Sequence, residues 1–569
     1  MHVPAGKGGD PRALYRQAAA ALDHGDWPLA QRLAEFLAPH TRGHGGVHYI
    51  AGVAALQMQQ LDRAIGHLRQ AADQGTGHPE YLAQYARALS MAHRHAEAVA
   101  AADRALAQDC TDAVVLDTLG SVYSRANAHG TAIEAYRRAC ALEPAHAGFR
   151  FNLATSHMVT GDIEAAGREF EACIAADPGY WRGYLALAQL RRYTQAHNHV
   201  DTLAAQIARH PGDAGAQLYL HMALAKELED LGDYPRAFDH YTRGKAAQRK
   251  IEGPSAERDA ATFAAVRRWF DRPLEAAPGH DSAEPIFVLG MPRSGTTLTD
   301  RILSMHSHVH SAGELADFGV ALWNAGGRRG RSLAGVLASL DPRFNAWEAL
   351  GRAYVDGTRA VGTGRSPRFV DKLPHNFLHI GFIARALPNA KIVCLRREPM
   401  DTCLSNFRQP FSPGLPDYAY AQDLLDTGRY YLLFDRLMAF WRERLPRTDP
   451  GTALRSPGRR PGTRHARAAR LLRPAVGGRL PAFRGQPRAG LHGQRGAGAF
   501  GHEPRLGAAL ETLRRPARSA AQAAVRRRGR RRRLSPGARV DHHDAVDRTG
   551  RHAQLAAGAQ GFDHHVHVS

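Results

Sequence analysis

The chain has 569 residues, with 75 Lys and Arg against 54 Asp and Glu and a formal net charge of +21. That length allows several domains. No run of about 18 apolar residues occurs, which argues against a membrane-spanning helix, and no apolar core follows Lys7, Arg12 and Arg16 as a secretory signal requires. The five cysteines (Cys110, Cys140, Cys173, Cys394, Cys403) are odd in number and never spaced C-x-x-C. They read as reduced thiols of a cytoplasmic protein, not as a disulfide framework or a zinc site. The charge is unevenly placed. Residues 451–569 hold 25 Arg, no Lys and 6 acidic residues, a balance of +19, whereas the first 450 hold 50 basic and 48 acidic. Nucleic-acid binding is therefore not a property of the body of the chain, despite the basic end.

The first 250 residues carry an internal period. Ala30, Ala64, Ala98, Ala132 and Ala166 are each 34 residues apart, and Pro144 and Pro178 keep the same interval. A sustained 34-residue period marks a solenoid of helix–turn–helix units. The clearest unit reads Leu119-Gly120, Tyr123, Ala132, Tyr136, Ala139, Pro144, and the next reads Leu153-Ala154, His157, Ala166, Phe170, Cys173, Pro178. Small residues let the paired helices approach, an aromatic fills the gap between units, and proline ends the second helix. A degenerate unit follows at Leu231-Gly232, Tyr234, Ala237 and Tyr241, out of register by three residues. Residues 251–283 are charged and mixed, reading as a linker with one helix.

Residues 285–299, PIFVLGMPRSGTTLT, change the pattern. Ile286 to Leu289 form an uncharged run that suits a buried parallel strand. Gly290 opens a tight loop, and Thr296-Thr297 lead into a helix expected to be amphipathic through Leu298, Ile302 and Met305. Strand, glycine loop and helix start together aim backbone N–H groups at an anion, and the helix dipole favours negative charge there. The spacing Gly290-x4-Gly295 is that of a phosphate loop, but Thr296 stands where a nucleoside-triphosphate site needs Lys, and Arg293 lies inside the loop. Further strands are expected at residues 368–371 and 391–395, with helices at 376–387 and 418–445, an alternation proper to a parallel α/β sheet.

PRSGTTL after a strand, the pair Gly313-Glu314, DKLPHN, and KIVCLRREPMDTCLSNF occur in this order. Together they resemble the bacterial tetratricopeptide-repeat sulfotransferases related to protein-tyrosine sulfotransferases. The resemblance covers the repeats and residues 284–445. It implies a donor, 3′-phosphoadenosine 5′-phosphosulfate, that has no γ-phosphate and no bridging metal, which accounts for the missing loop lysine. By resemblance, Arg293, Ser294, Gly295, Thr296 and Thr297 would cradle the 5′-phosphosulfate, and Arg397 with Ser405 would hold the 3′-phosphate. Glu314 matches the family's general base for the acceptor hydroxyl. Lys372, with Arg293, matches the cations that offset charge on the leaving phosphate. His306, His308 and His310 are a competing base, ranked second. Two rival readings stay open: a P-loop nucleotide kinase, and a non-catalytic repeat scaffold with a degenerate nucleotide site.

Beyond about residue 446 the composition shifts. Tyr, Trp, Ile and Lys are absent from 451–569, and Phe483, Phe500 and Phe562 are the only Phe. So few large apolar residues cannot bury a core, aromatic interleaving for single-strand stacking is lacking, and the His pairs near the end lack partners at metal spacing. The favoured reading is an out-of-frame translation starting between residues 446 and 455, where the family would continue with more of its nucleotide pocket. The expected organisation is thus a repeat α-solenoid (1–250) for peptide or protein binding, a linker (251–283), an incomplete P-loop-like α/β sulfotransferase domain (284–449) acting on a hydroxyl acceptor, and a disordered Arg/Gly/Ala/Pro/His-rich tail (450–569).

Overall fold

The computed structural model describes residues 10–445 apart from 42, 76, 93, 109, 273–276, 328–331 and 361–365, so the basic tail lies outside the described residues. Residues 10–92 and 97–143 form one compact unit, and residues 144–445 the body of a second. No helix among the described residues is long and apolar enough to cross a membrane.

The first unit is all helical: α1 (Pro11–Asp23), α2 (Trp27–Leu37), α3 (Gly45–Gln57), α4 (Leu61–Gln74), α5 (Pro79–Met91), α6 (His95–Leu106), α7 (Ala113–Arg125) and α8 (His129–Leu142). Ala30, Ala64, Ala98 and Ala132 are all fully buried, the small contact points expected of the 34-residue period. A Cβ on Gly120 would stand 2.6 Å from the buried Tyr136 ring, which is why the Leu-Gly pair faces an aromatic. Asp26 and Asp112 cap α2 and α7 by accepting from backbone N–H groups of the first turn.

The second unit begins with three helix pairs: α9 (Ala147–Thr160), α10 (Ile163–Ala176), α11 (Trp181–Leu190), α12 (Val200–Arg209), α13 (Ala214–Asp230) and α14 (Tyr234–Glu252). Aspartate caps recur at Asp162, Asp213 and Asp233. Ala166, Phe170, Ala237 and Tyr241 are buried as the repeat pattern predicts. An irregular connection between α11 and α12, bridged by Thr194 and His197, accompanies the shift in register of the degenerate unit. The helix expected within the 251–283 stretch is α15 (Ala256–Asp271). Its Phe263, Val266, Trp269 and Phe270 are part of the large apolar core of the following α/β layers.

Those layers run β1 (Pro285–Gly290), α16 (Thr296–Ser304), β2 (Val309–Gly313), α17 (Asp317–Ala325), α18 (Leu333–Ser339), α19 (Trp347–Ala360), β3 (Arg368–Asp371), α20 (Ile380–Ala386), β4 (Lys391–Leu395), α21 (Pro399–Phe407) and α22 (Leu424–Arg444). The four strands form one sheet in the order β2-β3-β1-β4, with every pairing parallel. Alternate residues of a strand face opposite sides. Accordingly Ile286 and Val288 pack with Ile302, Leu303 and Val393 on one face, while Phe287 and Leu289 join the aromatic core on the other. Both faces of β1 are covered, as an uncharged parallel strand requires.

The structure redraws three expectations. Helix α16 buries Thr296, Asp300, Ile302 and Leu303, whereas Leu298 and Met305, expected on its apolar face, are 47% and 37% exposed. The helix expected at 376–387 is split into a 3-10 turn (Pro374–Leu378) and α20, because Asn376 turns inward to bond Asp371. The helix expected at 418–445 starts as a 3-10 turn (Pro416–Gln422), and Asp423 then caps α22 through the N–H groups of Leu425 and Asp426.

Helix α14 is tied directly to the segment after α21. The buried Lys245 Nζ donates to Gln409 O at 2.7 Å, Gln248 Nε2 donates to Phe411 O at 3.2 Å, and Glu252 accepts from Gly414 N at 2.9 Å. Arg249 pairs with Asp426 at 3.1 Å. The last repeat pair is thus packed onto the α/β layers by charged and amide groups, not by apolar surface alone.

Candidate active site

In a parallel sheet wound on both faces, ligands bind beyond the carboxyl ends of the strands. Here each of the four strands delivers a residue singled out by the sequence. β1 leads into the loop 291–295, β2 into Glu314, β3 into Lys372, and β4 into Arg396 and Arg397.

The loop is tightly built. Gly290 has φ +142°, and a Cβ there would lie 2.4 Å from Leu395 O of the neighbouring strand. Arg293 adopts φ +65°, a left-handed conformation that costs a residue with a Cβ about 1–2 kcal/mol. Gly295 follows at φ +103° and opens α16. Within this turn Ser294 is 6% exposed, and its Oγ has no hydrogen-bond partner among the described residues. An orphaned hydroxyl beneath the first N–H groups of a helix is a donor set awaiting an anion. The loop is anchored from α21, where the wholly buried Asn406 donates to Pro292 O at 2.8 Å and to Thr402 O at 2.9 Å. Tyr420 completes the bolt by donating its hydroxyl to Asn406 Oδ1 at 2.9 Å.

Positive charge converges on this loop. Arg397 Nη1 donates to Arg293 O at 3.4 Å, and Arg397 Nε lies 3.9 Å from Asp401 on the first turn of α21. Ser405, half-buried, sits one helical turn beyond Asp401 on the same face. Burial, then Arg408, then Arg397 hold the Arg293 guanidinium below its ordinary value. Like charges gathered in a partly desolvated turn are favourable once an anion joins them.

The pairing of Glu314 with Lys372 follows from strand register. Gly313 pairs with Asp371, and Lys372 N donates to Gly313 O at 2.8 Å, so the next residues of β2 and β3 stand side by side. Lys372 Nζ then forms an ion pair with Glu314. Lys372 is only 5% exposed. Its neighbour Asp371 is fully buried, and burial pushes this carboxyl up to about 8 against the Tyr354 hydroxyl and the Leu315 N–H. His375, 9% exposed, lies in the electrostatic field of both Asp417 and Glu314. Burial nevertheless lowers its pKa, and its buried Nε2 has no hydrogen-bond partner among the described residues. Tyr418 meets the His375 ring edge-on at 4.9 Å and stacks on Phe411 at 4.3 Å.

The structure therefore brings the loop residues together with Arg397, and separately pairs Glu314 with Lys372, at the same edge of one sheet. It places His306 and His308 before β2, at the opposite end of the strand from Glu314, with His310 exposed just inside it. At about 3.3 Å per residue, strand length puts His308 roughly 20 Å and His310 roughly 13 Å from Glu314 along the backbone. Asn406, Arg408 and His375 escaped the sequence reading although all three lie in or beside the quoted motifs. Each is polar and buried or half-buried, a signal that appears only once the fold is known.

Comparison with known proteins bears on the two parts of the chain separately. Residues 285–455 match the sulfotransferase family and residues 113–146 the tetratricopeptide repeat. A curated relative, an uncharacterized protein of Aquifex aeolicus (strain VF5), is 28% identical over 315 residues, spanning 53% of this chain and 40% of that protein. The chain thus spans well under half the length of that relative. Among solved structures, MamA (41-end) of Desulfovibrio magneticus RS-1 is 20% identical with a TM-score of 0.27, covering 30% of this chain and 98% of its own. PilF of Pseudomonas aeruginosa is 16% identical with a TM-score of 0.31, covering 36% and 95%. YrrB, titled a TPR protein with an unusual peptide-binding site, is 14% identical with a TM-score of 0.26, covering 36% and 96%. The chain carries tetratricopeptide repeats followed by a sulfotransferase-family domain built on a parallel four-stranded sheet.

Proposed function

We propose that this chain moves a sulfuryl group from 3′-phosphoadenosine 5′-phosphosulfate to a hydroxyl acceptor, and that its repeats hold a peptide or protein. The observation that carries the reading is the loop 291–297: an orphaned Ser294 hydroxyl, two left-handed residues, a helix start and Arg293, with no lysine. This donor set fits a phosphosulfate better than a magnesium-bound triphosphate. Arg293, Ser294, Gly295, Thr296 and Thr297 would hold the 5′ end of the donor, and Arg397 with Ser405 the 3′-phosphate. When bound, the donor supplies an activated sulfuryl group on a phosphate leaving group.

The chain's own residues divide the remaining work. Glu314 takes the proton of the acceptor hydroxyl. Lys372 and Arg293 offset the negative charge that gathers as the transfer proceeds. The Glu314–Lys372 ion pair keeps proton acceptor and cation in contact, so both are oriented before an acceptor arrives. His375 Nε2, buried and without a partner among the described residues, is a further hydrogen-bonding group on the same side as Glu314.

Isothermal titration of the intact chain with 3′-phosphoadenosine 5′-phosphate, beside ATP with magnesium, tests the reading. Binding of the former, with sulfate transfer from the labelled donor to a panel of hydroxyl compounds, supports it. Magnesium-dependent ATP turnover would instead indicate a nucleotide kinase, and no binding of either would leave a repeat scaffold.

A further inference from the structure

Arg408 is the cation that the sulfotransferase reading leaves without a task. It ends α21 two residues after Asn406, the residue that grips Pro292 O, so its backbone is fixed relative to the anion loop. The positive charge of Arg408, like that of Arg397, helps hold the Arg293 guanidinium below its ordinary value. Its side chain is met from the other direction by the last repeat pair. Glu229 of α13 forms an ion pair with Arg408, and Tyr241 of α14 donates its hydroxyl to Glu229 Oε2 at 2.9 Å. Arg408 Nε is buried, with no acceptor among the described residues. A guanidinium oriented on one side by a carboxylate, with a donor left over, is a partly satisfied fork.

We propose that Arg408 is a third arginine of the anion site, beside Arg293 and Arg397, and that Glu229 and Tyr241 are positioning residues through which the last repeat pair aims it. This rests on the reading of the loop as the donor's anion site, and goes further by making a repeat helix part of that site. Arg397 is paired with Asp401 and Arg408 with Glu229, so with Arg293 the three guanidiniums leave a local positive excess for a polyanionic ligand. The chemistry recognised is a phosphate- or sulfate-bearing nucleotide end. The arrangement also explains why α14 clamps residues 409–414 so firmly: a shift of that segment would carry Arg408 away from the loop.

The test is titration of the intact chain with 3′-phosphoadenosine 5′-phosphate and, in parallel, with inorganic pyrophosphate. R408A is expected to weaken nucleotide binding roughly 10- to 100-fold, as befits loss of a charged hydrogen-bonding group. R408K, which keeps the charge but not the fork, falls between. E229Q is expected to weaken binding about fivefold, and E229Q/R408A to bind no worse than R408A, because Glu229 acts only through Arg408. The double variant also removes the stranded, half-buried carboxylate, so a folding defect in R408A alone does not decide the matter. The proposal fails if R408A binds within twofold of wild type, if E229Q binds as well as or more tightly than wild type, or if the two penalties add. Wild-type protein that binds pyrophosphate but not the nucleotide sinks the donor reading and leaves the anion site; wild type that binds neither sinks both.

Discussion

Asn406, with no exposed surface, donates a 2.8 Å hydrogen bond to the carbonyl of Pro292, and so fixes the peptide that leads into the left-handed Arg293. Backbone strain of this kind persists only where its surroundings over-determine it. Asn406→Ala removes the donors to Pro292 O and Thr402 O and leaves the Tyr420 hydroxyl without an acceptor. The expected cost is about 2–3 kcal/mol of stability in urea unfolding. Asn406→Asp should cost more, since an ionised carboxylate would face two carbonyls. Unfolding curves indistinguishable from wild type for both would remove Asn406 from this role.

Ser294 gives the opposite signature. Its Oγ is buried without a partner among the described residues, so Ser294→Ala should leave urea stability unchanged or slightly raised. The same change should weaken 3′-phosphoadenosine 5′-phosphate binding roughly 3- to 10-fold. Equal affinity in titrations of the two proteins would show that the hydroxyl plays no part in anion binding.

For the Glu314–Lys372 pair the informative readout is the split between binding and turnover. Glu314→Gln keeps the shape but cannot accept a proton. Sulfuryl transfer should drop roughly 10²- to 10⁴-fold while nucleotide affinity stays within about twofold. A Glu314→Gln protein with wild-type turnover would return the base role to another residue, His375 first.

Asp371 makes stability depend on pH. Burial raises its folded value to about 8 from an ordinary 3.8, so the folded state holds a proton that the unfolded state releases. The contribution is fully present below about pH 4 and is lost as pH rises through about 8. Asp371→Asn, which cannot ionise, should therefore gain on wild type as pH rises across that window, at a slope approaching 1.4 kcal/mol per pH unit. Parallel stability–pH curves for the two proteins would show that the carboxyl is not protonated when folded.

The tail prediction is settled outside the protein. Residues 451–569 lack Tyr, Trp, Ile and Lys, and the sulfotransferase match ends at residue 455. Translating the coding DNA from codon 446 in the other two frames should give aromatic-containing sequence with balanced charge. Arginine-rich, aromatic-poor sequence in both frames would end the frameshift reading.

Much of this architecture was legible because it rests on local pattern. β1, β3 and β4 announce themselves as short apolar runs, and the 34-residue alanine period survives into fully buried positions. β2 escaped because Val309 is its only large apolar residue, as suits a strand at the sheet edge. The face of α16 was misjudged because Thr296 and Asp300 point inward, and buried polar residues carry no hydrophobic period. Glu314 and Lys372 were readable from their motifs, but their contact needed the register of two strands. Arg408 was out of reach, since its partner Glu229 lies 179 residues earlier in the chain, on a helix read as part of a separate module.

The irregularity in β2 adds a last point. Ser311 pairs with Val370 and Gly313 with Asp371, so Ala312 is an extra residue on its strand. Strands act as rulers with two-residue gradations, and the inserted alanine resets the ruler just before Glu314. Were the ladder to run on without this bulge, Ala312 would pair with Asp371, Gly313 would stand opposite Lys372, and the carboxylate would fall one residue farther along, on the other face of the sheet. The site thus depends on a flaw in the pairing: a change that made β2 a better strand would separate the two residues on which the proposed chemistry relies.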